Sequence, residues 1–167
     1  MISCTFDDGG KVNLRHVCVD SLVCVDEKVL LVKRSAKLSS APGKYCMPGG
    51  YLDRNEFLGE GAVRETKEET GYEVEKPVLF QIRDYPGDLG DNDRQNVVFT
   101  FVFENAKKIS EAVDWDSEES IWVPLDSIDK MKDLIAFDHW QVIKAYISYK
   151  KDIVDLPIIN AYLNFNK

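Results

Sequence analysis

Residues 50–72 read GYLDRNEFLGEGAVRETKEETGY, and this stretch says more about the fold and the chemistry than any other part of the chain. As a helix turning about 100° per residue, it places Glu65, Glu68 and Glu69 on one face about 100° wide. Three carboxylates on one stripe repel each other, and a hard divalent cation such as Mg²⁺ or Mn²⁺ would relieve that repulsion. The spacing alone fits a solvated acidic helix face equally well.

The residues that flank this helix favour the metal-binding interpretation. The Pro-Gly-Gly sequence at 48–50 predicts a turn where the main chain comes close to a metal or a phosphate. The Thr-Gly pair at 70–71 predicts the end of the helix, with the glycine in the left-handed conformation. Arg64 lies just before Glu65 and one turn before Glu68, so it can orient both carboxylates. An ordinary surface pair between Arg64 and Glu68 is the alternative.

The segment resembles the Nudix box, G-x5-E-x7-R-E-U-x-E-E-x-G-U, in which U is a bulky apolar residue. All seven fixed places are filled at the family's spacing, by Gly50, Glu56, Arg64, Glu65, Glu68, Glu69 and Gly71. Such a match is far more specific than a lone glycine motif. The U places hold Thr66 and Tyr72, which affect packing and touch no ligand position. The Thr66 hydroxyl is expected to bond back to the Ala62 carbonyl.

The resemblance implies a metal-dependent hydrolase of phosphoanhydride bonds. It implies that the main-chain carbonyl of Gly50 joins the three helix glutamates as a ligand of Mg²⁺ or Mn²⁺, and that Arg64 orients a glutamate. Bound metal ions would screen the phosphate charge and lower the pKa of an attacking water. The implied metal ligands are Gly50, Glu65, Glu68 and Glu69.

The general base is left open. Nudix enzymes use either a glutamate of the box or an acid of a later loop, and the acidic residues at 114–119 end in Glu118 and Glu119, just before a predicted strand. We take these two glutamates as catalytic candidates, with a solvated charge run as the equally weighted alternative. His16 and His139 lie in apolar or helical contexts, where a histidine is more often packed or exposed than catalytic.

Substrate selection is predicted to lie outside the box proper. Pro86 is near the place where ADP-ribose-cleaving members carry a proline, although an ordinary turn explains it as well. Arg94 lies in a charged loop that resembles one in those members, where it would meet a phosphate. Tyr51 would stack on a base, as would Phe6 or Tyr45, although most aromatic residues pack in cores.

Composition excludes several classes of function. The chain has 167 residues, 44% hydrophobic and 30% charged, so we expect one domain over 1–167, with its core at 14–150 and a C-terminal tail at 151–167. The net charge of −8 argues against nucleic-acid and anionic-membrane partners. With no signal peptide or membrane span in the sequence, we expect a cytoplasmic protein. The four cysteines form no CxxC pair and are expected to be reduced, partly buried thiols.

Hydrophobic patterning predicts strands interleaved with helices, hence an α/β/α sandwich around a mixed sheet, which the Nudix resemblance also implies. The predicted strands are 14–24, 29–34, 74–84, 96–104 and 120–123, and the predicted helices are 56–70, 125–131 and 137–150. Asn55 or Asp53 is predicted to cap the first helix. Pro77 is predicted to place the start of its strand at an edge or outside the ladder.

Three functional hypotheses follow. The favoured one is a pyrophosphohydrolase that takes a small nucleotide substrate, ADP-ribose or a related nucleotide sugar. The second is hydrolysis of oxidised or noncanonical nucleoside triphosphates. The third is a non-catalytic nucleotide-sensing domain, disfavoured because all the box carboxylates are present. The apolar tail at 152–167 predicts either closure of the fold or pairing into a homodimer.

Overall fold

A computed structural model describes residues 2–84, 96–111, 115–152 and 156–159. The strands are β1 (Ile2–Thr5), β2 (Lys11–Leu14), β3 (Val17–Val25), β4 (Lys28–Arg34), β5 (Tyr45–Cys46), β6 (Gly49–Tyr51), β7 (Tyr72–Glu73), β8 (Val78–Arg83), β9 (Val97–Phe103), β10 (Lys107–Lys108), β11 (Ser117–Pro124) and β12 (Ile158–Ile159). The helices are α1 (Leu58–Thr70) and α2 (His139–Tyr149), with a 3₁₀ helix at Leu125–Leu134.

A mixed sheet forms the middle layer. Among the described residues its strand order is β11-β4-β3-β9-β8-β12, with β5 paired to β4 and β6 paired to β3. β9 runs parallel to β3 and β12 runs parallel to β8, whereas β3, β8 and β11 pair antiparallel with β4, β9 and β4, respectively. The mixed sheet predicted from the sequence is confirmed.

The two α-helices cover opposite faces of this sheet. On one face, Ala62 of α1 packs with Val19 and Val23 of β3. On the other face, Val142 of α2 packs in a cluster with Leu22 of the same strand. The faces separate in this way because successive side chains of a strand point to opposite sides. Each fully buried aliphatic side chain contributes about 1.5–3 kcal/mol, so the sandwich is stabilised from both faces.

The boundaries of α1 differ from the prediction at one end. The helix begins at Leu58, after Phe57 as N-cap, and the Glu60 carboxylate accepts the Phe57 N–H at 2.9 Å. The predicted start near Glu56 and the predicted caps Asn55 and Asp53 were wrong, because Glu60 satisfies the first amide from inside the helix. At the other end the predictions are confirmed, since the helix stops at a left-handed glycine with φ 71°.

Several other elements also differ from the expected pattern. The hairpin β1–β2 was not predicted, and residues 49–51 form strand β6 where we predicted only a turn. β11 begins three residues earlier than predicted, and the predicted helix at 125–131 is a longer 3₁₀ helix. Pro77 lies directly before β8, outside the ladder as expected. No helix in the described ranges is long and apolar enough to span a membrane.

Candidate active site

The guanidinium of Arg64 connects three glutamates. Nε and Nη2 donate to the two carboxylate oxygens of Glu56 at 3.0 and 2.7 Å. Nη1 donates to Glu65 at 2.9 Å and to Glu68 at 3.0 Å. Nη2 also donates to the main-chain carbonyl of Tyr51 at 3.1 Å. All five N–H donors of the fork therefore have an acceptor, and three carboxylates meet at one permanent cation.

The fourth glutamate, Glu69, is bound by the main chain of β6. The Gly49 N–H donates to its Oε2 at 3.0 Å. A Cβ on Gly49 would lie 2.3 Å from the Val19 carbonyl oxygen, and a Cβ on Gly50 would lie 2.5 Å from Glu65 Oε1. Position 49 therefore requires glycine because main-chain atoms are in the way, whereas a Cβ at position 50 would displace the Glu65 carboxylate. Glu65 and Glu69 are 8% and 5% exposed, so the solvated-face alternative is wrong for these two side chains.

The bonds to Arg64 also set charge states. The hydrogen bond from Arg64 holds the pKa of Glu56 below its ordinary value, and the Asp53 N–H, 2.8 Å from Glu56 Oε1, acts in the same direction. The bond to Glu56 in turn raises the pKa of Arg64. Both groups stay charged at neutral pH, so Glu56 anchors Arg64 and is a poor proton acceptor.

The donors around Arg64 and β6 are chemically suited to a hard divalent cation. In the part of the chain that the structure describes, no three histidine, cysteine, aspartate or glutamate side chains are arranged to hold a metal ion directly. Glu65 and Glu68 are turned to Arg64, and Glu69 is turned to the Gly49 amide. All are oxygen donors beside a glycine main chain that approaches Glu65 closely, which is the donor type that Mg²⁺ and Mn²⁺ prefer. The residues fit such an ion once the carboxylates rotate toward it.

Glu118 and Glu119, the two predicted candidates for the general base, have side chains that lie against Lys33 of β4. Glu118 accepts the Ala36 N–H at 2.9 Å, and Lys33 Nζ lies 3.5 Å from Glu118 and 3.7 Å from Glu119. The bond from the Ala36 amide holds the pKa of Glu118 below its ordinary value. In this conformation the nearest charged partner of both glutamates is Lys33, so their role as base stays a prediction.

The start of β11 nevertheless adjoins the helix of the box. The hydroxyl of Ser117, one residue before Glu118, donates to the main-chain carbonyl of Glu69 at 3.2 Å. Two residues further along β11, Glu119 accepts the Tyr45 hydroxyl at 3.0 Å. Rotation of the Glu118 or Glu119 side chain alone would turn its carboxylate to a different element, and the strand would not have to move.

One of the three predicted substrate contacts can be located. Tyr51 is 42% exposed, and its ring centroid lies 5.1 Å from that of His16. Its main-chain carbonyl accepts from Arg64, so the residue itself adjoins the arginine that binds the carboxylates. Pro86 and Arg94 lie outside the described residues. The structure therefore brings Tyr51, and the box residues named above, into one region.

A group of buried charged residues was missed by sequence reasoning. Arg83 of β8 is 4% exposed and donates to Asp20 of β3, to Asp138 and to the Thr100 hydroxyl. Burial raises the pKa of Asp20, but Arg83 and His139 outweigh burial and hold it below its ordinary value. A single signal was available, since Asp20 interrupts the apolar run VCVDSLVCV. His139, predicted to be packed or exposed rather than catalytic, is buried.

A cavity of about 790 Å³ lies along α1. Arg64 and Glu68 belong to its lining, whereas Glu65 and Glu69 do not. A cavity of this size admits a nucleotide-sized molecule. Its other lining residues are Phe57, Gly59, Glu60, Val63, Lys67, Pro77 and Ser110.

Comparison with known proteins agrees with this geometry. Residues 14–146 match the model of the NUDIX domain. The chain is 33% identical over 136 residues to the ADP-ribose pyrophosphatase of Methanocaldococcus jannaschii, an alignment that covers 80% of this chain and 74% of that protein. The matched residues include α1 and every strand from β3 to β11.

Solved structures show the same fold. A NUDIX hydrolase from Nitrosomonas europaea superposes with a TM-score of 0.71 at 24% identity, covering 86% of this chain and 97% of that chain. A bifunctional NMN adenylyltransferase/ADP ribose pyrophosphatase from Francisella tularensis, complexed with AMP and a manganese ion, superposes with a TM-score of 0.68 at 25% identity. That match covers 82% of this chain but only 42% of the longer bifunctional chain.

Proposed function

Because this chain belongs to the Nudix hydrolase family, we propose that it is a divalent-metal-dependent pyrophosphohydrolase that cleaves ADP-ribose or a related nucleotide sugar. The observation that supports this proposal most directly is the meeting of Glu56, Glu65 and Glu68 at Arg64, next to Glu69 on the Gly49 amide. The choice of substrate is supported by the similarity to the ADP-ribose pyrophosphatase of M. jannaschii.

The residues of the site have different roles in the proposed reaction. Glu65, Glu68, Glu69 and the Gly50 carbonyl would hold the metal, which when bound screens the phosphate charge and makes water a stronger nucleophile. Arg64 holds Glu65 and Glu68 on one side of the helix, from which their carboxylates would rotate to the metal. Tyr51 offers an exposed ring to a base.

The bond changes are those of a phosphoanhydride hydrolysis. A water oxygen forms a bond to one phosphorus of the diphosphate, and the bond from that phosphorus to the bridging oxygen breaks. The proton of the water goes to a carboxylate, for which Glu118, Glu119 and Glu65 are the candidates. ADP-ribose would thereby yield AMP and ribose 5-phosphate.

The test is product identification with the parent protein and Mg²⁺ or Mn²⁺. We expect AMP and ribose 5-phosphate from ADP-ribose, with kcat/KM at least about tenfold above that for nucleoside triphosphates, a difference of ~1.4 kcal/mol. A preference for triphosphates, with release of pyrophosphate, would move the assignment to the second hypothesis. Binding of ADP-ribose without turnover would instead identify a sensor.

The remaining expectations about partners stay proposals. We propose a small nucleotide as substrate and a homodimer as the assembly. The apolar tail that motivated the homodimer lies largely outside the described residues. Light scattering of the protein at several concentrations tests the assembly directly, because a dimer doubles the measured mass.

A further inference from the structure

The buried cluster around Arg83 adjoins the candidate active site at two places, Asp20 beside Gly49 and His139 beside Met47. Asp20, Arg83, Asp138 and His139 come from β3, β8 and the start of α2, and all four are buried. Buried charges of this kind are kept only where partners are well placed, because an unpaired one is strongly destabilising. The cluster therefore holds its members in a defined arrangement. Asp20 pairs with Gly49 of β6, and His139 accepts the Met47 amide just before that strand.

The hydrogen bonds of His139 define which ring nitrogen is the acceptor and how the ring is oriented. Nδ1 accepts the Met47 N–H at 2.9 Å, so this nitrogen carries no proton. The proton of the neutral imidazole then lies on Nε2, which is 3.4 Å from Asp20 Oδ2. Asp20 is bound by Arg83, so the carboxylate that orients the ring is itself fixed. His139 is thus set to accept one particular main-chain hydrogen bond.

Met47 opens the short segment that reaches the glutamates. The Ser21 N–H donates to the Pro48 carbonyl at 2.8 Å, which fixes the segment against β3. The next amide, that of Gly49, donates to Glu69, and Gly50 lies against Glu65. Only Pro48 therefore separates the residue whose amide is held by His139 from the residue whose amide holds Glu69.

We propose that His139 is a positioning residue for the candidate active site, which acts on Glu69 through residues 47–49 and touches neither substrate nor metal. It fixes the Met47 amide, and thereby the place from which the Gly49 amide meets the Glu69 carboxylate. The proposal rests on the proposed function in one respect, since it takes Glu69 to serve the reaction. The structural part, from His139 to Gly49, stands apart from any activity.

Two substitutions of His139 distinguish the contact made by Nδ1 from the contact made by Nε2. In His139→Asn, Oδ1 is as many bonds from the main chain as Nδ1, so the Met47 amide keeps an acceptor. In His139→Gln, the side-chain amide reaches the place of Nε2, so the contact with Asp20 is kept and the Met47 acceptor is lost. Both variants bury one side-chain amide, and their overall stabilities are expected to be similar.

The primary readout is hydrogen exchange of single amides, measured by NMR without metal or substrate. We expect the Met47 and Gly49 amides to exchange at least about tenfold faster in His139→Gln, and to stay within about threefold of the parent in His139→Asn. The Leu125 amide, which donates to the Glu27 carbonyl at 2.9 Å, serves as the internal reference. Unchanged Gly49 exchange in His139→Gln would overturn the proposal, even with faster exchange at Met47.

Kinetics and a control variant complete the test. In His139→Gln we expect kcat for the nucleotide sugar to fall about tenfold, the lower end for outer residues of metal sites, with recovery in His139→Asn. Thr100→Val removes a different buried partner of Arg83 and should lower stability without affecting Gly49 exchange. Equal loss of kcat in all three variants would mean that His139 only supports the fold. If the parent cleaves none of the nucleotides, the proposed function fails, while the exchange experiment still decides the link to Gly49.

Discussion

At the scale of single residues, the candidate site depends on how one arginine divides its donors. Arg64 binds Glu56 with two parallel bonds and shares Nη1 between Glu65 and Glu68. Bidentate pairs of this type hold both groups in a fixed geometry. Glu56 therefore anchors the arginine, and the arginine leaves Glu65 and Glu68 close together at the edge of β6.

The helix glutamates are expected to determine metal affinity and turnover together. Replacing Glu68 or Glu69 with Gln keeps the shape and removes one charged ligand, so kcat should fall by about 10²-fold or more, ~2.7 kcal/mol of barrier, with weaker Mn²⁺ binding. Glu73→Gln removes the same charge at an exposed site outside the box and serves as the control. Near-parent kcat in both box variants at saturating Mg²⁺ would remove these residues from the metal site.

Glu56 is expected to make stability depend on pH in the acid range. Its folded pKa lies below the ordinary value of 4.5, so it stabilises the fold above that pH and loses this contribution as the pH falls through the folded pKa. Glu56→Gln should lower the free energy of unfolding by about 1 kcal/mol at pH 7, since solvent screens part of the 1.5–3 kcal/mol of a charge-assisted bond.

The measurement for Glu56 is denaturant unfolding of parent and variant between pH 3 and pH 7. The difference in free energy of unfolding should be constant above about pH 5 and shrink toward pH 3. A difference that stays constant down to pH 3 would show that the bond between Glu56 and Arg64 adds no net stability.

At the scale of elements, the C-terminal end of α1 combines two constraints at one glycine. Gly71 has φ 71°, and a Cβ there would lie 2.1 Å from the Ser110 carbonyl oxygen. Gly43 has nearly the same φ, 70°, with nothing within 4 Å of its Cβ position. The left-handed conformation alone costs Ala about 1 kcal/mol, so Gly43→Ala should lower the free energy of unfolding by that amount.

Gly71→Ala should lower the free energy of unfolding more than Gly43→Ala does, by about 2–4 kcal/mol in total. The clash with main-chain atoms forces a shift of residues 110–111 or of the helix end. Thermal unfolding of both variants beside the parent measures the difference. Equal losses would mean that the segment at Ser110 moves away without resistance and does not restrain the helix of the box.

The start of β11 is the second element with a testable role. If Glu118 or Glu119 accepts the proton of the attacking water, its change to Gln should lower kcat and flatten the acidic limb of kcat against pH, with Mn²⁺ affinity nearly unchanged. Both side chains now face Lys33, so the base would have to turn from β4 when substrate binds. Parent-like pH profiles in both variants would leave Glu65 as the next candidate.

At the scale of the whole molecule, metal binding should be visible as stability. An ion that binds only the folded state adds ~2.7 kcal/mol at one hundred times its Kd, or roughly 5–10 °C in Tm for a chain of this size. We expect Mg²⁺ to raise Tm by that amount, EDTA to reverse it, and Glu69→Gln to show a much smaller rise at the same concentration. Identical rises in parent and Glu69→Gln would place the ion elsewhere.

The box and its local geometry were predictable because helix geometry brings residues three and four apart onto one face whatever surrounds them. Contacts between residues close in sequence explain three features of α1. These are the shared face of Glu65, Glu68 and Glu69, the bond from Thr66 to the Ala62 carbonyl, and the left-handed Gly71. The layered fold was predictable for a similar reason, since strand and helix periodicities show which faces need covering.

Partners from distant parts of the chain were decided only by the tertiary structure. The sequence predicted Glu118 and Glu119 as acids near the metal, but the register of β11 on β4 puts Lys33 beside them. Asp20, Arg83 and His139 carry no common spacing. The pairing of β9 with both β3 and β8, together with the packing of α2, brings them together. Sequence spacing determines contacts within one element, whereas contacts between elements depend on sheet order and packing, which short-range patterns do not specify.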